Sequence, residues 1–481
     1  MFDKIIDSRV AFFINKYCNS IWYIITMGIV CILCHGLNIV VIGALLLTLL
    51  VAPALLFCKN TFVLIPFATL CATILNKDAT PESGYYSSPL KISVLVICLI
   101  ILVAAFVFNL TYYKKWKCFC KRRYLTVSLA VLSLALLLGG IFSSTYTVQC
   151  IITALLIIVT MFVVYVFFMS GEYEGEKSVV KFAVTMITAA IVVSAGYLQL
   201  FIENDFNLSA AKDFLQLGYV GPNTGSAIIT LAIPMTFYFV YKYKYGFLFM
   251  ILVALEVCVI ALARSRASLI VAAPGTVIVA IALCFKKKSG KLGYYITCGV
   301  FLAAAVACVV LFRNRIFGYI GSIFSGGFTG SGRVDLWILG WKYLKENPLF
   351  GSGLNILQIE GNWYYSFHCT PLTYLYCAGI VGLAAYIYHR YKTVRLVFSA
   401  KLTPERVFIA LTVLAMLCNA LFDIAMTSPL HLMYYSVMLA LIECDVNKAK
   451  AASVENSDET KTEPSSDVPQ ANTINNSEGV Q

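Results

Sequence analysis

Charged residues are scarce in this 481-residue chain. Asp, Glu, Lys and Arg together make up 12% of it, whereas hydrophobic residues make up 60%. A soluble domain carries about 25% charged residues, and the mean hydropathy here is +0.84. The composition excludes a soluble globular protein. It predicts an all-α, polytopic integral membrane protein.

The start of the chain lacks the pattern of a cleavable secretion signal. Such a signal has a positive region, a short apolar run and a small-residue cleavage site. The first twenty residues instead mix acidic and basic side chains, namely Asp3, Lys4, Asp7, Arg9 and Lys16. We therefore expect the first membrane span to remain as an uncleaved anchor.

Metal-ligand patterns and a disulfide framework are also missing. Most of the 17 Cys lie inside apolar runs, where a thiol packs as a small hydrophobe. Cys118 and Cys120 have no His or second Cys pair nearby, which argues against zinc. The predicted outer loops contain no Asp-x-Asp or comparable carboxylate cluster. We expect no metal and no other cofactor, and the loops show no basic face that would indicate a nucleic-acid partner.

What is present is a succession of long apolar runs. A spanning helix needs about 20 mostly apolar residues. By that rule the sequence contains roughly fourteen spans. They lie near residues 20–34, 37–57, 61–76, 90–113, 124–142, 148–169, 179–202, 223–241, 247–263, 267–285, 293–312, 368–389, 405–423 and 428–444.

The basic residues are distributed as membrane topology requires. The net charge is +12, but most lysines and arginines fall in loops that alternate along the chain. Five such loops share one side under this assignment, and the positive-inside rule makes that side cytoplasmic. They are 114–123, 177–181, 242–244, 286–291 and 390–406. Both termini then face the cytoplasm.

The chain divides into two regions by composition. Residues 1–445 form the transmembrane domain. Residues 446–481 are polar, mildly acidic and nearly free of aromatics, so they cannot bury enough apolar area to order themselves. We expect them to form a disordered cytoplasmic tail.

One long connection, residues 313–367, is predicted on the extracytoplasmic side. It begins with a glycine-rich lead at Gly326, Gly327, Gly330 and Gly332. Arg333 then opens a helix with Val334, Trp337, Ile338, Trp341 and Leu344 on one face. Such a helix is expected to lie along the membrane surface. Pro348, Gly351 and Gly353 end it and permit a sharp turn with a close backbone approach.

Three arginines are the first candidates for binding a substrate. A guanidinium presents a fork of donors that matches phosphate oxygens, so Arg333 would suit a lipid-linked phosphate; the alternative is an arginine that only reaches the headgroups. Arg264 and Arg266 occupy a tight apolar turn at the outer side, where two cations are costly unless they meet an anion. Ser265 and Ser268 are expected to cap the helix that follows.

His368 is the candidate general base. Its ordinary pKa near 6.5 allows it to take a proton from a hydroxyl at neutral pH, and the alternative is a histidine that caps the next helix.

Two further groups of candidates each have a substrate-binding and a structural interpretation. Arg313 and Arg315 would join the pocket or anchor the preceding span. The second group is aromatic and would either stack on sugar rings or form part of an interfacial belt. It consists of Trp363, Tyr364 and Tyr365.

Intramembrane carboxylates are functional candidates by default. Glu256 lies inside one predicted span and Asp423 near the outer end of another, close to Asn419. A hydrogen bond to a neighbouring helix would explain each of them equally well.

The order of these elements resembles the O-antigen ligase and polymerase superfamily of bacterial envelope glycosyltransferases. The matching elements of this chain, in order, are SRAS after a span, the helix from Arg333, the stretch ENPLFGSG, and His368 followed by Gly379 and Gly382. The resemblance covers about residues 223–388. In the ligases, the histidine is followed by Asn, Ser or Gln, nine residues and Gly-x-x-Gly. The spacing fits here, with Cys369 in the place of the polar residue.

The resemblance implies a GT-C-like membrane fold in the bacterial cytoplasmic membrane and an undecaprenyl-pyrophosphate-linked oligosaccharide as donor. Arg264, Arg266 and Arg333 would hold the pyrophosphate, His368 would activate the acceptor, and transfer would invert the anomeric centre without a metal. The leading hypothesis is a Wzy-type polysaccharide polymerase, favoured by the number of spans. The alternatives are a ligase with another acceptor, and a transporter or flippase without chemistry. Membrane lipids and other polysaccharide assembly proteins are further candidate partners.

Overall fold

The architecture is taken from a computed structural model of the chain. It describes residues 8–37, 39–70, 89–119, 121–208, 211–215, 217, 221–287, 289–324, 333–354, 357–359, 362–364, 367–423 and 427–459. The predicted glycine-rich lead at 326–332 and the final residues, 460–481, lie outside these ranges.

The described chain is almost entirely helical, as the composition predicts. The helices are α1 Arg9–Cys18, α2 Ile21–Gly36, α3 Val40–Phe57, α4 Ile65–Leu70, α5 Pro89–Tyr112, α6 Trp116–Phe119, α7 Thr126–Leu138, α8 Val148–Ile158, α9 Val164–Phe168, α10 Glu176–Glu203, α11 Ala211–Phe214, α12 Pro222–Lys242, α13 Phe249–Leu262, α14 Arg266–Lys286, α15 Lys291–Phe324, α16 Arg333–Glu346, α17 Thr370–Val397, α18 Pro404–Ala420 and α19 Pro429–Glu459. A small antiparallel hairpin, β1 Leu357–Ile359 and β2 Asn362–Tyr364, is added to them.

Each of the fourteen predicted spans overlaps one or more of these helices. Among the described residues, seven helices are long and apolar enough to cross a membrane, and an eighth span results if the bent pair α1 and α2 is counted as one. Several others are shorter apolar helices, such as Thr126–Leu138. The structure therefore supports a multi-pass membrane protein, and the number fourteen stays a prediction.

Helix α12 lies at the centre of the bundle. In its most apolar stretch 89% of the residues are buried, whereas none are in the corresponding stretch of α15. It packs against α10, α13, α14 and α18. Small residues permit this close approach: a side chain at Gly225 would collide with Tyr197 of α10. The periphery of the bundle is formed by helices such as α15, whose apolar side chains face outward.

The intramembrane Glu256 is bonded to a neighbouring helix. Its side chain is buried in α13, and one carboxylate oxygen accepts a hydrogen bond of 3.0 Å from the Thr236 hydroxyl on α12. The sequence leaves two explanations open for this carboxylate, a functional role and a hydrogen bond to a neighbouring helix. The structure supports the hydrogen bond.

Three segments that the sequence assigns to loop or tail are helical. Residues 313–324 continue α15 beyond a kink at Phe312, where the backbone leaves helical angles. Residues 390–397 complete α17, and residues 446–459 complete α19. Polar composition misled the prediction here, because a helix that leaves the apolar layer keeps its backbone hydrogen bonds regardless of its side chains.

Helix α17 is broken in its middle by the loop that follows α16. At Gly379 the backbone has φ +69° and ψ −164°. The amides of Ser352 and Gly353 donate to the carbonyls of Tyr376 and Cys377 at 3.0 and 2.8 Å. In return, Ile380 donates to the carbonyl of Pro348 at 2.9 Å. The loop thus replaces the helical hydrogen bonds that the break removes.

Glycine is required at this crossing because backbones meet there. A side chain at Gly379 would collide with the Leu349 carbonyl, and one at Gly351 would meet the Tyr376 carbonyl. The segment after α7 joins them: the amide of Gly140 donates to the Phe350 carbonyl at 2.7 Å. The predicted close backbone approach at Gly351 and Gly353 is confirmed, since a β-carbon at Gly351 would meet the Tyr376 carbonyl and the Gly353 amide donates to the Cys377 carbonyl.

A buried ion pair fastens the opposite end of α18. Arg406 is fully buried, and its Nη2 lies 2.7 Å from Asp445 Oδ2 on α19. The hydroxyls of Thr403 and Tyr173 also donate to the Asp445 carboxylate, at 2.9 and 3.1 Å. These bonds offset the cost of removing both charges from water. The pair therefore joins α18 to α19 at the end farthest from His368.

We predict that Gly379→Ala lowers the stability of the protein by about 2 kcal/mol or more, because a β-carbon at positive φ is strained and has no room. The measurement is the thermal unfolding midpoint of the detergent-solubilised protein. Gly299→Ala in α15 is the matched control, since nothing lies within 4 Å of its β-carbon position. Equal midpoints for the two variants would contradict the inserted-loop geometry.

We predict that Asp445→Ala lowers the free energy of unfolding by about 3–5 kcal/mol, because it leaves the buried Arg406 charge uncompensated. Glu172→Ala is the control: its pair with Lys59 has the same 2.7 Å separation, but both side chains are more than half exposed. Glu172→Ala should lower the free energy of unfolding by no more than about 1 kcal/mol. Chemical unfolding of both variants gives the comparison, and similar losses would show that burial does not decide the effect.

Candidate active site

His368 lies just before α17, as the sequence predicts for a residue at the start of a span. Its φ of +48° is in the left-handed region, which is uncommon for residues other than glycine. The side chain is 40% exposed, so it is open to a substrate. Its Nδ1 lies 3.2 Å from Oδ1 of Asp423, whose side chain is 11% exposed. A carboxylate on Nδ1 leaves Nε2 as the nitrogen that can accept a proton.

Asp423 reaches His368 because the end of α18 meets the start of α17. Its carboxylate follows α18 by three residues. The Thr370 hydroxyl at the beginning of α17 donates to the backbone carbonyl of Asp423 at 3.2 Å. A side-chain and a main-chain contact thus fix the same two segments together. The arrangement holds the imidazole in one orientation and would stabilise it when protonated.

Helix α16 is held over this pair by Trp337. Its indole Nε1 donates to the backbone carbonyl of Phe367 at 2.8 Å, one residue before His368. The Phe367 ring packs edge-on against Tyr376 with centroids 4.7 Å apart. A side chain at Gly340 would collide with both rings. The glycine therefore lets α16 approach α17 closely.

Arg333 begins α16, as predicted, and its charge acts on the residue next to His368. Burial raises the pKa of the Cys369 thiol, and the positive charge of Arg333 opposes that rise. Cys369 itself is partly buried at the position before α17. Arg333 and His368 therefore border one region of the structure.

The predicted apolar face of α16 is partly buried and partly exposed. Leu344 and Gly340 are buried, whereas Ile338 and Trp341 are 65% and 52% exposed. The spacing predicts that Ile338 and Trp341 share one face of the helix, and the closest contact with the bundle is made by Gly340, because it is the smallest residue. The two exposed apolar side chains are available to a membrane surface, and the interfacial position of α16 stays a prediction.

Arg264 and Arg266 form the turn between α13 and α14. Arg264 has φ +54°, and its Nη1 donates to the backbone carbonyl of Leu208 at 3.3 Å. Arg266 is the first residue of α14. The predicted caps differ from expectation: Ser265 occupies the cap position without a capping side-chain bond. Ser268 donates to the Asn419 side chain at 3.2 Å instead, because α18 lies against this end of α14.

The Ser268–Asn419 bond connects the arginine turn to the histidine. Asn419 lies in the last turn of α18, shortly before Asp423 in the chain, and both are buried. Two hydrogen bonds lie along the path from the arginine turn to the histidine, Ser268 with Asn419 and Asp423 with His368, and the charge of Arg333 acts on Cys369. A shared site for the three arginines and His368 stays a hypothesis that this path supports.

The remaining predicted residues are less well placed or less fully described. Arg313 is exposed directly after the kink of α15, which agrees with an anchoring role more readily than with a pocket. The backbones of Trp363 and Tyr364 form β2. The side chains of those two residues and of Arg315, and the whole of Tyr365, lie outside the described part of the chain.

His431, which the sequence reading passed over, lies behind Asp423. Its side chain is 2% exposed, and neither ring nitrogen has a hydrogen-bond partner among the described residues. The Asp423 carboxylate interacts electrostatically with this ring. The signal in the sequence was a histidine two residues after Pro429, in a span that is otherwise apolar. Asp423 itself was noted, but nothing in the sequence linked it to His368.

A second group of polar residues surrounds Arg390 in α17. Its guanidinium lies over the rings of Tyr386 and Tyr435 at 4.6 and 4.7 Å. The neighbouring His389 is fully buried, with Ser128 and the Tyr435 hydroxyl each 3.0 Å from its ring nitrogens. The sequence assigned Arg390 to a cytoplasmic loop. The structure instead places it partly buried in α17, where cation–π contacts with Tyr386 and Tyr435 offset its charge.

Within the described ranges, His, Cys, Asp and Glu side chains form no group of three or more that could ligate a metal ion. Independence from a metal stays a prediction, because it concerns the reaction and not the residues alone.

Comparison with known families agrees with this geometry. Residues 247–387 match the family model described as O-Antigen ligase. The match covers less than a third of the chain and supports a relationship to the O-antigen ligase and polymerase superfamily. The matched segment contains the arginine turn, α16 and His368, whereas Asp423 and His431 lie beyond its end. A search of the curated proteins found no match.

The match supports functional statements at a coarse level only. The O-antigen ligase and polymerase superfamily consists of glycosyltransferase-like membrane enzymes of polysaccharide biosynthesis. It implies lipid-linked oligosaccharide substrates, contact with membrane lipids and a multi-pass protein of the inner membrane.

We predict that Arg333→Gln slows alkylation of Cys369 by a maleimide, because loss of the positive charge raises the thiol pKa and reduces the reactive thiolate. The rate is followed by mass spectrometry of the Cys369 peptide at fixed pH. Lys342→Gln, which removes a charge further along α16, is the control. If both variants react at the unmodified rate, Arg333 does not lie beside the histidine.

Proposed function

We propose that this protein is a polysaccharide polymerase that transfers an undecaprenyl-pyrophosphate-linked glycan to another lipid-linked repeat unit at the outer face of the bacterial cytoplasmic membrane. The observation that carries the proposal is the half-exposed His368 held by buried Asp423. A histidine oriented in this way is equipped to deprotonate a sugar hydroxyl.

The chemistry follows from the charges around it. The acceptor hydroxyl attacks the anomeric carbon of the donor while Nε2 of His368 takes its proton. The bond between that carbon and the pyrophosphate oxygen breaks, and the anomeric centre inverts. Arg264, Arg266 and Arg333 stabilise the negative charge that develops on the leaving pyrophosphate. These cations supply the compensation that a metal ion provides in many phosphate-binding enzymes.

Transfer to a different acceptor is the second candidate. The description of the matching family, O-Antigen ligase, favours it. The same base and the same cationic groups would serve a ligase, because the two reactions differ only in the acceptor. The polymerase is favoured by the fourteen predicted spans, and by Cys369 in the place of the polar residue that follows the histidine in ligases. The site carries its cations at one end of the bundle, unlike the central charges expected of a flippase.

The experiment that separates these functions uses a deletion strain. The lipid-linked glycan that accumulates is extracted, and its number of repeat units is measured. A polymerase leaves single units that the plasmid-borne protein extends. A ligase leaves long lipid-linked chains that fail to reach their acceptor. Normal extension and attachment in the deletion strain would refute both.

We predict that Asp423→Asn reduces kcat by about 100-fold or more with little change in the KM for the donor, because the amide no longer orients and stabilises the imidazolium. The double variant with His368→Ala should be no slower than His368→Ala alone, since the two residues act as a unit. Glu256→Gln is the matched buried-carboxylate control. Its activity, and the unfolding midpoints of all variants, distinguish catalysis from folding. Additive losses would contradict a His368–Asp423 unit.

A further inference from the structure

A polar cavity opens at the end of the bundle opposite to His368. Its volume is about 610 Å³, and it lies between α6, the segment that follows α9 and the C-terminal part of α19. Tyr173 lines the cavity, and its hydroxyl donates to the Asp445 carboxylate at 3.1 Å. The cavity therefore adjoins the buried Arg406–Asp445 pair, and it shares no residue with the candidate active site.

The charged residues that line this cavity are both cations. They are Arg123, from the basic loop 114–123, and Lys448 of α19. The described lining residues include no Asp or Glu. Glu443 and Asp445, the nearest carboxylates along α19, are buried, and Asp445 is paired with Arg406. The lining therefore carries two positive charges that no lining carboxylate neutralises.

Arg123 is held at the cavity by its backbone. Its amide donates to the Thr126 hydroxyl of α7 at 2.9 Å, and the next amide, of Tyr124, donates to the Glu443 carboxylate of α19 at 2.8 Å. These bonds attach the turn to two helices. The Nε of Arg123 is buried and has no hydrogen-bond partner among the described residues. A buried donor without an acceptor is costly, so this guanidinium favours a ligand that supplies one.

Lys448 reaches the same cavity from α19, together with Cys444 and Asn447. Spacings of three and four residues place these side chains on one face of the helix. Lys448 and Asn447 are exposed, so the ammonium group is open to a ligand. A lysine binds phosphate as a point charge, whereas an arginine presents a fork of donors. The cavity combines both kinds of cation.

We propose that this cavity binds a phosphate group, carried either by the headgroup of an anionic lipid or by a small phosphate compound in solution. Two unneutralised cations from separate elements, and a volume larger than one phosphate, support the proposal. The site is independent of the transfer reaction. Exposed cations of the same loop would attract anions of either source to the cavity; they are Lys114, Lys117, Lys121 and Arg122.

Cys118 provides a reporter for the ligand. It lines the cavity and is only partly buried, so a bound phosphate compound should slow its alkylation by a maleimide. The full chain is placed in phosphatidylcholine nanodiscs, and the rate is followed by mass spectrometry of the Cys118 peptide. One series replaces phosphatidylcholine with phosphatidylglycerol, and a second adds inorganic phosphate to the solution. Protection in the first series alone identifies a lipid headgroup, and protection by inorganic phosphate identifies a soluble ligand. Absence of protection in both series would overturn the proposal.

We predict that Arg123→Gln and Lys448→Gln each raise the concentration needed for half-maximal protection on the order of tenfold, because each removes a charged donor from the cavity. The matched controls, Arg122→Gln and Lys450→Gln, remove the same charges at exposed positions that do not line the cavity, and they should leave protection unchanged.

Unfolding midpoints of the four variants show whether each is folded. The exposed position of Lys448 keeps the test valid if Arg123→Gln alone is unstable. An equal loss of protection in the controls and in the cavity variants would indicate general attraction to a basic surface, and it would overturn the proposed site. Full protection in Lys448→Gln and Arg123→Gln would overturn it as well.

Discussion

A bilayer provides no water to satisfy an unpaired peptide group, and each such group costs several kcal/mol. The break of α17 at Gly379 would leave carbonyls of this kind. The loop from Pro348 to Gly353 supplies the missing donors and acceptors. This exchange of backbone hydrogen bonds is the constraint on which the His368 end of the bundle depends. It also explains why three chain segments meet there with glycine at the contact.

The candidate site takes its geometry from that crossing. The inserted loop directly follows α16, so fastening the loop to α17 also fixes the helix that begins with Arg333. Trp337 adds a second attachment at Phe367. Asp423 then fixes His368 from the side of α18. The histidine is thus held by contacts from two directions, while the exposed part of its ring remains open. The arginine turn directly precedes α14, and Ser268 near the start of α14 donates to Asn419 on α18.

Sequence patterns predicted the helices better than the tertiary contacts between them. Apolar runs located the helices because their length is set by the membrane, and the start of α16 at Arg333 followed from spacing alone. The same rules could not show that Asp423 reaches His368, since 54 residues separate them and only tertiary packing joins them. Apolar spacing also could not show that Gly340, which no hydrophobicity pattern favours, makes the closest contact between α16 and α17. Arg390 was assigned to a loop by its charge, although three tyrosines nearby indicated an aromatic environment.

The segments that meet at Gly379 are synthesised in a defined order. The loop residues that bond to the break, namely Pro348, Leu349, Ser352 and Gly353, all precede it in the chain. During synthesis these segments leave the ribosome before the second half of α17 does. The acceptors and donors that complete the helix are therefore already made when its interrupted centre enters the membrane. A circular permutation that moved the loop behind α17 would preserve every contact of the folded protein but reverse this order of assembly.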